Sequence, residues 1–434
     1  MHSSGGLVGE FYQLVLAATY HGDGLWGDAT FDLYARGMPP TWGYLVAAGL
    51  EPVLQGLEAF SFSEAQVAVL QALPAFARVP SGFFDALRRL RFDGEVFGVP
   101  EGTPMFPNEP LLRVTAPLWV ATLLETRLIQ LVGASTAVAT RAARLVDAAV
   151  GRPVYDFGSR RCAGGESAML AARSAWIGGV AGTTNADAIV GLGLPPFGTM
   201  SDTFLASYPG DRAAYDAFRV RFPTLGHYTL PDDDPLDGVR RFRPFRDEVR
   251  IVRIDHDDLN ALSRSVRASL DEGGMSATRI LGSGHLNERA IGKLVKAGAP
   301  VDMFAVGRAL GGASDPDMRL AFRLAELQRG TVSSPVTRPG SSAYPGKKQV
   351  VRFEDHDLLC LESEVGAFSR AGWPLLRKVM SGGRRLEPAE GLSPPRDRRA
   401  AMVAALPPAL RSVPAASQRD VRISDKLARL TVAG

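Results

Sequence analysis

The chain has 434 residues, 46% of them apolar and 22% charged, with a formal net charge of +3. That length exceeds one ordinary domain, and the composition is that of a globular enzyme with an ample core. No basic stripe interleaved with aromatics points to nucleic acid, no apolar run approaches a membrane span, and two cysteines, Cys162 and Cys360, can build neither a disulfide framework nor a zinc site. The opening MHSSGGLVGEF lacks a charged region followed by an apolar one, so no signal peptide is expected and a reducing cytoplasm is the expected compartment.

In chain order, residues 9–20 read as a helix and 28–36 as a strand. Residues 43–89 read as helical, with Ser63 and Glu64 as a start signal. Residues 91–116 turn to short β pieces between Gly and Pro, and 118–150 form a long helix. The stretch 151–209 holds two apolar runs, Val154–Phe157 and Ala188–Leu192, each short enough for a buried strand, with a helix over 166–176 between them. Ser159-Arg160-Arg161 follows the first run and Gly198-Thr199 the second. Two adjacent arginines at a strand end suit an anion, because a guanidinium forks onto carboxylate or phosphate. The plainer reading is a surface pair. Cys162 has no evident base beside it and reads as a spectator thiol.

From 249 the pattern is regular: strands at 249–255, 278–284 and 300–307, with helices at 259–272 and 286–296 between them. Strands alternating with helices argue for parallel pairing, and with the central stretch an α/β barrel is favoured over an open sheet. The strand ends deliver Asp255, His256, Asp257 and Asp258, then Ser283, Gly284 and His285, then Gly307 and Arg308. In a barrel these ends share one face, where active sites are built. Asp257 and Asp258 suit helix caps, whereas Asp255 at the strand end reads as functional. Arg253, two residues earlier, points to the same side as Asp255. A charge in an apolar strand needs a partner or an anion. The glycines at 284 and 307 let backbone N–H groups approach a phosphate, with Arg308 beside one of them. His21 and His227 read as loop residues. Residues 311–350 revert to β pieces, and 396–405 and 424–430 read as helices. Domain limits of 1–115, 116–310 and 311–434 follow, the first open to completion by later segments.

Several segments carry a resemblance that runs nearly from end to end: GEFYQLVLAATY, FDLYARGMP, VPEGTPMFPNEPLLRV, VYDFGSRR, GTTN at 182–185, RIDHDDLNALS, GAPVDMFAVG and YPGKKQVVRF. The chain resembles the nicotinate phosphoribosyltransferases. The resemblance implies an irregular α/β barrel of the type II phosphoribosyltransferases, with an N-terminal α/β domain and a C-terminal helical extension. It implies a homodimer with shared active sites, transfer of the phosphoribosyl group from phosphoribosyl diphosphate to nicotinate with release of pyrophosphate, and a place in NAD synthesis. Magnesium is the expected ion. Carried over by position, Tyr12 reaches the base from the partner subunit. Thr199 and Arg253 contact nicotinate, while Arg160 and Arg161 are the paired arginines. Asp255 serves the ribose or its metal, Asp258 is a second carboxylate of that turn, and Ser283, Gly284, Gly307 and Arg308 hold phosphate. No nucleic-acid or membrane partner is expected.

The chain departs from the family at the site. The family couples ATP hydrolysis through a phosphorylated histidine, and Asp202 stands at that position. A carboxylate could accept phosphate, but that is not the family's device, so the usual coupling is not expected and ATP stays open as a co-substrate. The family's Asp-Ser-Gly-Asp is Asp255-His256-Asp257-Asp258 here, and its Gly-Thr phosphate turn is Gly307-Arg308. Three readings stay open: an ATP-independent nicotinate enzyme, an enzyme for another heteroaromatic acid, and a phosphosugar- or nucleotide-binding homologue without turnover.

Overall fold

A computed structural model describes residues 6–311, 318–337 and 343–432. Its contacts divide the chain into two compact units: one built from 1–137, 315–406 and 417–434, the other from 138–314 and 407–416. The long helix Leu118–Ala149 runs through the division at 137.

In the first unit, seven strands of the described residues form one sheet in the order 332–335, 320–329, 28–35, 110–117, 95–98, 377–381 and 384–385, all antiparallel. The strand Asp28–Ala35 has a partner on each side and is nearly all buried, which places Asp32 in the core. The buried Lys348 answers it at 2.7 Å, as a charge removed from water requires. Helices Phe11–Gly22, Leu50–Glu58, Glu64–Ala72 and Ser81–Arg89 belong to this unit, with Val67, Phe83, Phe84 and Leu87 among its core residues. Ser63 caps Glu64–Ala72 through a capping box with Gln66. His21 is not a loop residue: it ends the first helix, ringed by Trp26, Phe83 and Trp119 at 5.5–5.8 Å.

Among its described residues the second unit carries six strands: β1 Val154–Asp156, β2 Gly182–Thr183, β3 His227–Thr229, β4 Ile251–Asp255, β5 Arg279–Ser283 and β6 Met303–Val306. They lie in the order β2-β1-β6-β5-β4-β3, every pair parallel. Both faces are covered, as parallel strands demand. Val154, Val252, Ile254, Ile280, Phe304 and Val306 pack in one cluster. Tyr155, Ile251, Leu281, Met303 and Ala305 pack in another on the opposite face.

The sheet is closed irregularly. Between β2 and β3 lies the segment 195–200 rather than a strand. The Phe197 N–H donates to Thr183 O at 3.0 Å, and Thr229 Oγ1 donates to Met200 O at 2.7 Å. Phe197 stacks on Tyr155 with ring centroids 3.6 Å apart. His227, expected in a loop, is the first residue of β3 and holds Gly198 O through Nδ1 at 3.1 Å.

One expected strand is a helix. Ala188–Leu192 falls within Ala186–Leu192, started by the Asn185 side chain accepting from Ala188 N at 2.8 Å and ended by Gly193 in the left-handed region. A five-residue apolar run suits either element, and the caps decide. The strand that precedes this helix is Gly182–Thr183.

Candidate active site

Residues of odd number on β4, β5 and β6 face the barrel interior, since neighbouring residues of a strand alternate sides. Ile251, Leu281 and Met303 fill that interior with apolar side chains. Toward the C-terminal ends of the strands polar groups take over: Arg253 at the level of Leu281 and Met303, then Asp255 and Ser283 one inward-facing pair further on. They line a cavity of about 220 Å³ together with Phe157, Arg160, Arg161, Gly284, His285, Leu286, Ala305, Gly307 and Arg308.

Arg253 is the centre of this arrangement. Its Nε donates to Ser283 Oγ at 2.8 Å and its Nη2 pairs with Asp255 Oδ2. Ser283 Oγ lies 3.0 Å from Asp255 Oδ2 and 3.1 Å from Ile254 O. The register explains the triangle: Ser283 is the cross-strand partner of Asp255, and Leu281 that of Arg253. The Phe157 ring stands 5.9 Å from the Arg253 guanidinium. Phe157 was not singled out from the sequence, although the odd-number rule extended one residue past β1 points to it.

The turn after β1 is fixed from below by a buried carboxylate. Asp156 accepts from Gly158 N at 2.7 Å and from Thr183 Oγ1 at 2.7 Å. Thr183 Oγ1 accepts in turn from Asn185 N at 3.0 Å, and Asn185 Nδ2 donates to Ser159 Oγ at 3.1 Å. Burial pushes the Asp156 carboxyl above its ordinary range, against both hydrogen bonds. Arg160 and Arg161 follow in a 3-10 turn, exposed and yet lining the cavity. The turns after β1 and β6 touch backbone to backbone: a Cβ on Gly311 would stand 2.0 Å from Gly158 O.

Thr199 sits in the barrel-closing segment and does not line the cavity; its neighbour Met200 is tied to Thr229, the cross-strand partner of Arg253. Asp202 opens the short helix Asp202–Ala206, exposed, behind the Ser201 cap. Asp258 does not line the cavity: its side chain accepts from Ala261 N at 3.1 Å and starts Leu259–Glu272, because a helix beginning directly after a strand leaves N–H groups to satisfy. Tyr12 belongs to the other unit, half-exposed, its hydroxyl 3.1 Å from Glu125 Oε2. Asp232, which the sequence did not single out, has its carboxyl pushed up by burial and by Asp202 and Asp255, with Arg253 opposing.

Among the described residues no three His, Cys, Asp or Glu side chains converge as a ready metal site. Asp255 is the carboxylate lining the cavity that could meet Mg²⁺ arriving with phosphate oxygens, since that ion is bound through one or two carboxylates plus substrate, and Asp232 lies within range of its charge. No helix of the described residues is long and apolar enough to cross a membrane.

Residues 7–133 match the model of the nicotinate phosphoribosyltransferase N-terminal domain. Nicotinate phosphoribosyltransferase pncB2 of Mycobacterium tuberculosis is 37% identical over 421 residues, covering 94% of this chain and 89% of that protein. Nicotinate phosphoribosyltransferase of Bacillus subtilis is 32% identical over 356 residues, covering 79% and 72%. Among solved structures, human nicotinic acid phosphoribosyltransferase superposes with a TM-score of 0.82 at 25% identity, covering 98% of this chain and 99% of that one. A nicotinate-nucleotide pyrophosphorylase from Pyrococcus furiosus shares the fold, with a TM-score of 0.75 at 22% identity over 92% and 95%.

Proposed function

The chain belongs to the nicotinate phosphoribosyltransferase family, with the type II phosphoribosyltransferase fold, and from that premise we propose how its own residues transfer a phosphoribosyl group to nicotinate in NAD salvage. The observation that carries the reading is the cavity at the strand ends, where Arg253, Asp255 and Ser283 meet Gly307, Arg308 and the arginine pair.

In the reaction the pyridine nitrogen forms a bond to ribose C1 as the bond from C1 to the diphosphate oxygen breaks. Positive charge builds on the ribose ring and negative charge on the leaving diphosphate. Asp255 is the carboxylate for the first, and Arg160, Arg161 and Arg308 are the cations for the second, because fixed charges aimed at developing ones lower the barrier. Arg253 spends Nε on Ser283 and Nη2 on Asp255, which leaves Nη1 for the carboxylate of nicotinate. Phe157 offers the ring its face. Ser283, Gly284 and Gly307 receive the 5-phosphate, whereas Thr199 and Asp202 stand outside the cavity lining and are given no contact in this arrangement. Mg²⁺ held by Asp255 would neutralise diphosphate charge.

A homodimer accords with the helix Phe11–Gly22, whose Phe11, Tyr12, Val15 and Leu16 are solvent-exposed in a single chain. Tyr12 would then approach the partner's base, and sedimentation of a Phe11→Glu variant tests the assembly. Free Cys162 and Cys360 suit the cytoplasm.

Pyrophosphate release from phosphoribosyl diphosphate and nicotinate, with and without ATP, is the test of the function. Equal turnover in both establishes an uncoupled enzyme. Turnover only with another heteroaromatic acid transfers the reading to that base. Thermal stabilisation by phosphoribosyl diphosphate without any turnover establishes a binding protein.

A further inference from the structure

Four described residues other than glycine hold a positive φ: Asn108, Val150, His285 and Arg319. Only His285, at φ 44°, lines the cavity of the second unit. It follows Gly284 at φ 109°, whose missing Cβ leaves room for His256 O at 2.9 Å and Asp255 Oδ1 at 3.0 Å. The left-handed conformation disfavours any side chain, though His tolerates it better than most, and such outliers gather where a ligand is gripped.

The turn aims His285 at a definite place. Ser283 pairs with Asp255 across β4, so two residues on, His285 stands beside Asp257, and its Nδ1 lies 3.2 Å from Asp257 Oδ1. On the other side, Gly282 pairs with Phe304 of β6, which sets the His285 turn beside Gly307 and Arg308. Carboxylate and phosphate oxygens both accept, so a ring that meets Asp257 at Nδ1 reaches a phosphate at Nε2 in its doubly protonated form, which donates from both nitrogens. The apolar wall of the cavity, Phe157 and Ala305, suits a ring. The wall of Arg160, Arg161, Arg308 and His285 suits phosphate.

We propose that His285, oriented by Asp257, is a phosphate-contacting residue of this site, and that its left-handed backbone is retained for that contact. The proposal rests on the phosphoribosyltransferase reading above. It deepens that reading by adding an imidazole to the arginines and turn residues already assigned to phosphate.

The experiment measures phosphoribosyl diphosphate binding by calorimetry, together with the melting temperature, for the full chain and its His285→Gly variant. Glycine removes the imidazole and relieves the backbone. Affinity for phosphoribosyl diphosphate is expected to fall about tenfold to a hundredfold, the worth of one hydrogen bond to a charged group, while the melting temperature holds or rises. Nicotinate KM is expected to stay unchanged. Asp257→Asn is expected to weaken phosphoribosyl diphosphate binding by a smaller factor, again without loss of stability. Unchanged affinity in His285→Gly overturns the proposal, as does a fall in melting temperature that accompanies the lost affinity. Failure of the unmodified protein to bind phosphoribosyl diphosphate sinks the functional reading instead.

Discussion

Arg253 and Asp255 leave one strand two residues apart and meet over a single hydroxyl, that of Ser283, which lies 2.8 Å from the guanidinium and 3.0 Å from the carboxylate. The pair is complete without a ligand, so a substrate carboxylate enters a site whose cation is already oriented. Arg253→Ala is expected to weaken nicotinate by about 1.5–3 kcal/mol, on the order of tenfold to a hundredfold, and nicotinamide by less. Steady-state KM values for acid and amide check this. Equal losses for the two would remove Arg253 from the base carboxylate.

Asp202 occupies an exposed first-turn position of a five-residue helix. Asp202→Asn is expected to leave nicotinate turnover unchanged, with ATP adding nothing to either protein, and to cost about 0.3–1 kcal/mol through the lost charge at the helix start. An ATP stimulation present in the parent and absent from the variant would instead make Asp202 a phosphate acceptor. Turnover assays with and without ATP separate the two.

The approach of Gly311 to Gly158 has no room for a methyl group, because the obstructing atom is a backbone carbonyl oxygen. Gly311→Ala is expected to destabilise by roughly 1–3 kcal/mol and to displace the Arg160–Arg161 turn, raising KM for phosphoribosyl diphosphate. Gly292→Ala is the control: it lies inside the helix Glu288–Lys296 with nothing within 4 Å, and is expected to stabilise by about 0.8–1 kcal/mol. Denaturant midpoints of the two variants should move in opposite directions.

Glu109 is buried, and that burial, reinforced by Asp357, holds its carboxyl well above the ordinary value of 4.5. Between that value and the raised one the folded chain binds one more proton than the unfolded chain, so this group makes stability fall as pH rises. Glu109→Gln lacks the proton. Its stability relative to the parent should therefore climb by up to about 1.4 kcal/mol per pH unit across that window, then level off. A difference flat with pH in denaturation experiments would mean that Glu109 is ionised in the fold at no cost.

The strands β4, β5 and β6 and their odd-numbered residues are legible in the sequence because each is an apolar run that ends in polar or glycine residues. That periodicity is enough to place Arg253 and Asp255 on one side, and the spacing of Ser283 and Gly307 follows. β2 has two residues and β3 three, too short to carry a period. The helix 186–192 was hidden by an apolar run that strand and helix share, although Asn185 and Gly193 mark its ends. Arg160 and Arg161 are surface residues and cavity residues at once, a distinction that composition does not make. The support beneath them, Asp156 with Thr183 and Asn185, depends on neighbours in space rather than in sequence.

The closing segment at 195–200 has a wider consequence. Elsewhere around the barrel a substitution must respect a ladder on both sides. Here the joint depends on a few bonds from Thr183, His227 and Thr229. Asp202, at the start of Asp202–Ala206, lies just beyond this joint. A substitution at 202 therefore breaks no ladder bond of the six strands, so side chains along this stretch of the wall can change while the strand register stays as it is.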